Sequence, residues 1–120
     1  MKLTLKSIQD YKTHKEEYKE EFECKVAKTK NQMKIEFQDG YIIIEENKVI
    51  RRTKDNEIII EIGKNTEIDY DTPNGIIVLD IFGLEMEKDF ENTKCVAKIK
   101  YEIKIVGVEP YTNELQISLT

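Results

Sequence analysis

Residues able to do chemistry are few in this chain, and they are scattered. It holds one histidine, His14; two cysteines, Cys24 and Cys95; and two arginines, Arg51 and Arg52, side by side. A lone imidazole can act as a general base. His14, however, sits in the polar run Lys12-Thr13-His14-Lys15-Glu16 with no serine or cysteine close by, and reads as an exposed loop residue. A metal site needs clustered Cys, His or carboxylate ligands. The cysteines lie far apart, and the acid pairs Glu45-Glu46 and Asp69 with Asp71 are not set off from the many other acids. The same holds for a glycosidase-type carboxylate pair. The run Ile62-Gly63-Lys64-Asn65-Thr66 contains Gly-Lys, but it lacks the upstream glycine of a phosphate loop and precedes a strand-like stretch. The expectation is therefore no catalytic residue, no metal and no cofactor.

The arginine pair is the cluster that suggests a ligand. Neighbouring residues on a strand face opposite sides, so one of Arg51 and Arg52 must point inward. There a guanidinium with few apolar neighbours could hold a ligand carboxylate; the plainer reading is a rim salt bridge. Asp80, an acid inside an apolar run, is the natural protein partner, unless a bulge exposes it. A ligand pocket is mostly apolar, with a few polar groups that set orientation. On this reasoning the ligand-binding candidates are Arg52, Tyr101, Tyr70 and Arg51, with Tyr101 in mid-strand and Tyr70 at a rim. The lysine row Lys94, Lys98, Lys100 and Lys104 reads as a solvated wall paired with glutamates across strands.

The elements that must position these residues are announced by alternation. From Cys95 the odd positions run Cys95, Ala97, Ile99, Tyr101, Ile103, Ile105, and the even ones Lys94, Val96, Lys98, Lys100, Glu102, Lys104. That is a half-buried strand. Leu3 and Leu5, then Met33, Ile35 and Phe37, then Leu115, Ile117 and Leu119 repeat the pattern. The predicted inward set is Phe22, Cys24, Val26, Met33, Ile35, Phe37, Ile99, Tyr101, Ile103, Leu115 and Ile117. The stretch 76–82 is apolar in both phases except for Asp80, which predicts cover on its outer face too. Turn signals fall between the runs: Asp39-Gly40 as a tight hairpin, Pro73-Asn74-Gly75 as a corner, and residues 107–110 between the last two strands. The segment 15–28 is open between helix and strand, because Tyr18, Phe22 and Val26 recur every four residues, a spacing that fits either. Many short strands leave a long exposed edge unless the sheet closes. A single antiparallel all-β barrel over residues 1–120 is predicted.

Composition agrees. The chain is 36% charged and 39% hydrophobic, a balance that suits a wall with one wet face. The net charge of −5 argues against a nucleic-acid partner, which needs clustered Lys and Arg. No apolar run approaches the length of a spanning helix, and charges interrupt the N-terminal stretch where a signal peptide would be apolar. A cytoplasmic protein with reduced cysteines is expected, with no membrane partner. Enrichment in Lys, Ile and Asn points to a bacterial source.

The order of these elements resembles the YwiB-like family, bacterial domains of unknown function with a calycin-like, lipocalin-like β-barrel. The resemblance runs through Leu3-Thr4-Leu5-Lys6-Ser7-Ile8, the charged strand to Phe22, Met33-Lys34-Ile35-Glu36-Phe37, and the basic strand end at Arg52. It continues through Tyr70-Asp71-Thr72-Pro73-Asn74-Gly75, Lys98-Ile99-Lys100-Tyr101-Glu102-Ile103 and Asn113-Glu114-Leu115-Gln116-Ile117. One departure is the stretch Thr53-Lys54-Asp55-Asn56 after Arg52, where similar chains place a glycine. The resemblance implies a barrel of about eight to ten strands, implies strand for segment 15–28, and favours Arg52 of the two arginines. It implies no activity. The functional expectation is a non-enzymatic binding barrel for a small apolar or amphipathic molecule. The alternative is an interaction or structural module with a side-chain-filled barrel. An open lumen lined by Tyr101, Ile103 and Phe37 would favour the first, and a filled one the second.

Overall fold

The structure is a computed structural model that describes residues 1–91 and 94–120. These residues form ten strands: β1 (Lys2–Tyr11), β2 (His14–Lys28), β3 (Met33–Phe37), β4 (Gly40–Ile44), β5 (Lys48–Arg52), β6 (Glu57–Glu61), β7 (Asn65–Thr72), β8 (Gly75–Lys88), β9 (Ala97–Ile105) and β10 (Val108–Leu119). All pair antiparallel with their neighbours, in the order β6-β5-β4-β3-β2-β1-β10-β9-β8-β7. Strands consecutive in the chain are neighbours in the sheet except β6 and β7, which form its two ends, and the chain ends meet where β1 pairs with β10, from Leu3 opposite Leu119 to Asp10 opposite Thr112.

Segment 15–28 is strand throughout. Its first part pairs with β1, Lys2 opposite Glu23 through Tyr11 opposite His14, and its last part pairs with β3, Cys24 opposite Phe37 through Lys28 opposite Met33. Cross-strand ion pairs tie its acids to β1, Lys2 to Glu21 at 2.9 Å and Lys6 to Glu17 at 2.8 Å. One long strand thus turns the corner between the long-stranded and short-stranded parts of the sheet.

The two ends of the sheet, β6 and β7–β8, come together to make a nearly closed barrel. Ile62 forms a parallel bridge to Gly83, and the Gly63 N–H donates to the Gly83 carbonyl at 2.9 Å. Gly83 is glycine because the chain passes against it: a Cβ there would strike the Glu61 carbonyl and lie 2.9 Å from the Ile62 Cα. At the other end of the seam Asn56 acts as a side-chain strand. Its Nδ2 donates to the Asp71 carbonyl at 3.1 Å, and its Oδ1 accepts from the Asp71 N–H at 2.7 Å.

The predicted inward set faces inward, and the core extends beyond it to Ile42, Ile44, Val49, Ile60, Leu79 and Ile81 of β4, β5, β6 and β8. Met33, Ile35, Ile99, Tyr101, Ile103, Leu115 and Ile117 are buried, with Phe22, Cys24, Val26 and Phe37 packed against them. Phe22 stacks on Phe37 with ring centroids 4.6 Å apart. The lysine row meets acids in register: Lys98 opposite Glu87, Lys100 opposite Glu85 and Glu114, Lys104 opposite Asp80.

Three details differ from the sequence reading. Val96, assigned to the outer phase, is buried, because it precedes the strand and its N–H and C=O bond Ile117 and Asp89. The Asp39-Gly40 hairpin forms with the left-handed φ at Asp39, 66°, while Gly40 sits where a Cβ would meet the Arg52 carbonyl. The stretch 76–82 is not covered outside: Ile76, Ile77 and Val78 at its start are exposed, since the β7–β8 hairpin tip extends beyond the pairing of β8 with β9, which begins at Asp80.

Candidate binding site at the barrel mouth

Phase alone carries the inward faces from apolar to polar. On β1 the inward series is Leu3, Leu5, then Ser7 and Gln9. On β10 it is Leu119, Ile117, Leu115, then Asn113 and Tyr111. On β2 it is Val26, Cys24, Phe22, then Glu20 and Tyr18. One end of the barrel is therefore lined by polar and aromatic side chains. A cleft of about 430 Å³ opens there, lined by Ser7, Gln9, Tyr18, Lys19, Glu20, Arg51, Thr53, Asn56, Ile58 and Tyr70.

The arginine that enters this end is Arg51. It shares its phase with buried Val49 and stands opposite Ile42 and Ile58, both on the inner side. Its Nη2 donates to Glu20 Oε1 at 2.9 Å, while its Nε is buried with no hydrogen-bond partner among the described residues. Arg52, favoured from the resemblance, points the other way: it stands opposite Tyr41 and lies 3.8 Å from Glu57. The reason is strand parity, since Val49 and Ile44 commit β5 to a phase that leaves Arg52 outside. Asp80 is not the arginine's partner. It lies on the outer wall between Glu67 and Lys104, and the bulge of β8 falls at Gly83–Glu85 instead.

Tyr101 does not line the cleft; it is buried near Arg51 and Tyr70, which do. Asn113 Nδ2 donates to its hydroxyl oxygen at 2.6 Å, and Asn113 Oδ1 is buried without a partner among the described residues. Turning the amide over would exchange these roles but still leave one polar atom unmatched. Burial pushes the Tyr101 hydroxyl up to about 12, although the Asn113 donor and the nearby positive charge of Arg51 pull the other way. Tyr70 and Tyr111 are close enough to add to the upward shift. Tyr70 is half-buried and lines the cleft, as a rim residue. At the lip, Tyr111, Tyr11 and His14 form a stack with centroid spacings of 4.7 and 4.9 Å, and the Tyr11 hydroxyl donates to Gln9 Oε1 at 2.7 Å. His14 is exposed and lies 3.3 Å from Glu16.

Of the four candidates, then, Arg51 and Tyr70 line the cleft, Tyr101 is buried close to both, and Arg52 is elsewhere. Sequence reasoning missed Ser7, Gln9, Glu20 and Asn113. The signal that finds them is the alternation itself, continued past Leu5, Phe22 and Leu115 into polar residues. Among the described residues no group of three or more His, Cys, Asp or Glu could hold a metal ion. Both cysteines are free thiols, and burial raises Cys24 above its ordinary range. The middle of the barrel is filled: Leu5, Ile35, Ile42, Ile99 and Ile117 are fully buried in one continuous cluster. An apolar lumen lined by Tyr101, Ile103 and Phe37 is thus replaced by packed side chains, and the opening lies at the polar mouth.

Architecture and site together define a nearly closed, antiparallel all-β barrel with a packed middle and a polar mouth. The chain belongs to the family described as Domain of unknown function (DUF1934), whose model matches residues 3–117. It is similar in fold to the ywiB protein from Bacillus subtilis, whose crystal structure superposes with a TM-score of 0.70 over 99% of this chain and 90% of that one, at 12% sequence identity. No curated protein matches the sequence closely enough to count as a relative.

Proposed function

We propose that this domain is a non-enzymatic binding barrel of the bacterial cytoplasm. Its ligand is a small amphipathic molecule that presents an anionic group, such as a carboxylate, to Arg51 at the mouth. The observation that carries this reading is Arg51 itself. An inward guanidinium lines a cleft, is held by Glu20 through one nitrogen, and keeps a buried Nε with no acceptor. A buried donor without a partner costs about 1–3 kcal/mol, and a ligand oxygen would remove that cost. Charge-assisted bonds to a planar fork favour carboxylate over neutral oxygen. The cleft volume of about 430 Å³ suits a small molecule, and the apolar part would lie along Ile58 and the Tyr70 ring. The free thiols are in keeping with a reducing compartment.

The test pairs native mass spectrometry of protein purified from its own host with titration of decanoate and decanol. Decanoate is expected to bind more tightly than decanol. Arg51→Gln should weaken decanoate by roughly tenfold or more, while Arg52→Gln leaves it unchanged. Bare protein in the native spectra, together with equal or absent binding of both probes, would sink the reading. A second reading, a protein-interaction module, is favoured by the filled middle and by Ile76, Ile77 and Val78, exposed at the β7–β8 tip. Under it the mouth substitutions would leave every binding measurement unmoved.

A further inference from the structure

The edge of β2 that faces away from β1 is open over the stretch 16–23. β3 pairs only with residues from Cys24 onward, and no backbone bond from the described residues reaches that edge. The parity of the exposed groups follows from the hydrogen bonds at the start of the strand. The Cys24 N–H donates to the Met1 carbonyl at 2.8 Å, and Lys2 exchanges bonds with Thr120 at 2.8 and 2.9 Å. Even-numbered residues of β2 therefore turn their N–H and C=O toward β1, and Lys15, Glu17, Lys19 and Glu21 turn theirs outward to the free edge. A bare edge is a template for another strand.

The side chains of those four residues are exposed and alternate in charge along the outer face: Lys15, Glu17, Lys19, Glu21. Such a series is self-complementary when the strand runs antiparallel to its own copy. We infer that the β2 edge is a homodimer interface, in which β2 pairs with β2 of a second copy about a two-fold axis at Tyr18. In this register Glu17 faces Lys19 and Lys15 faces Glu21, each twice. All four contacts are opposite in charge, and all fall on residues whose backbone groups point to the edge. Shifting the register by two residues either way sets Lys19 against Lys19 or Glu17 against Glu17, so charge selects one register. On the inner face the two Tyr18 rings meet at the axis. Glu16 faces Glu20, and both acids already have partners: Arg51 holds Glu20, while the Tyr18 hydroxyl donates to Glu16 at 2.7 Å. An isologous interface of this kind closes on itself and does not build fibres.

The edge borders the mouth cleft, whose lining includes Tyr18, Lys19 and Glu20, and the test of this inference therefore uses no ligand. Sedimentation equilibrium of the full chain should give twice the 14.1 kDa subunit mass. Amide exchange at Glu17, Lys19 and Glu21 should slow as protein concentration rises. Lys19→Glu should weaken the dimer by roughly tenfold or more, and Glu17→Lys combined with Lys19→Glu should restore it, with thermal melts showing both variants folded. A wild-type monomer with concentration-independent exchange at those three amides overturns the proposal, whether or not the edge takes an extended peptide instead. So does a Lys19→Glu variant that dimerises as well as wild type.

Discussion

Burial holds the Tyr101 hydroxyl protonated beyond the range of a free tyrosine, and this sets a pH dependence with a definite sign. An unfolded chain loses that proton near pH 10, whereas the folded one keeps it to about 12. The contribution to stability is complete below about pH 10 and is lost as the pH climbs toward 12, by roughly 2–3 kcal/mol in all. Denaturant titrations from pH 8 to 11 should show wild type losing stability with pH more steeply than Tyr101→Phe. At neutral pH the same variant should be less stable by about 1–3 kcal/mol, because the Asn113 amide loses its partner. Equal alkaline slopes would mean the hydroxyl is not held neutral by burial. Neither this pairing nor the choice between Arg51 and Arg52 could be read along the chain. Both depend on which phase a neighbouring strand imposes, and a five-residue strand with Ile50 and Val49 on opposite faces does not declare its own.

Among the elements, the seam between β6 and β7–β8 is where closure is decided, and it rests on two residues of unlike kind. Asn56 supplies a pair of hydrogen bonds that a strand would otherwise supply. Asn56→Ala should cost about 1–3 kcal/mol and raise amide exchange at Asp71 while leaving the amides of β9 unchanged. Gly83 supplies room. Gly83→Ala forces a methyl into the backbone of Glu61 and Ile62, so the seam must part; a loss of 2 kcal/mol or more is expected, of the order of an overpacked core. Chemical denaturation measures both, and a neutral Gly83→Ala would show that the two ends of the sheet do not touch. Nothing local marks either residue. Asn56 looks like a turn asparagine, and Gly83 like a flexible point in an apolar strand.

For the whole molecule, the pairing of β1 with β10 brings the two chain ends together, so the barrel cannot be complete until the most distant segments meet. Topologies dominated by non-local pairs fold slowly, and refolding in the range of milliseconds to seconds is expected by stopped-flow fluorescence of the tyrosines. A microsecond phase carrying the full amplitude would contradict this topology.

The amino-acid order by itself settled the class of fold, the strand phases of β3, β9 and β10 and most of the core, because a charged residue at every second position cannot be turned inward without burying unpaired charge. It left segment 15–28 undecided, since a spacing of four fits helix and strand alike. Only the tertiary structure made it a strand, by pairing it with β1 and bringing Lys2 and Lys6 diagonally onto Glu21 and Glu17. The tertiary structure likewise exposed Ile76 and Val78, turned Asp80 outward, and placed Arg51 at the mouth. Each of these outcomes is set by what lies on the adjoining strand, where pairing partners and cover are shared between residues far apart in the chain.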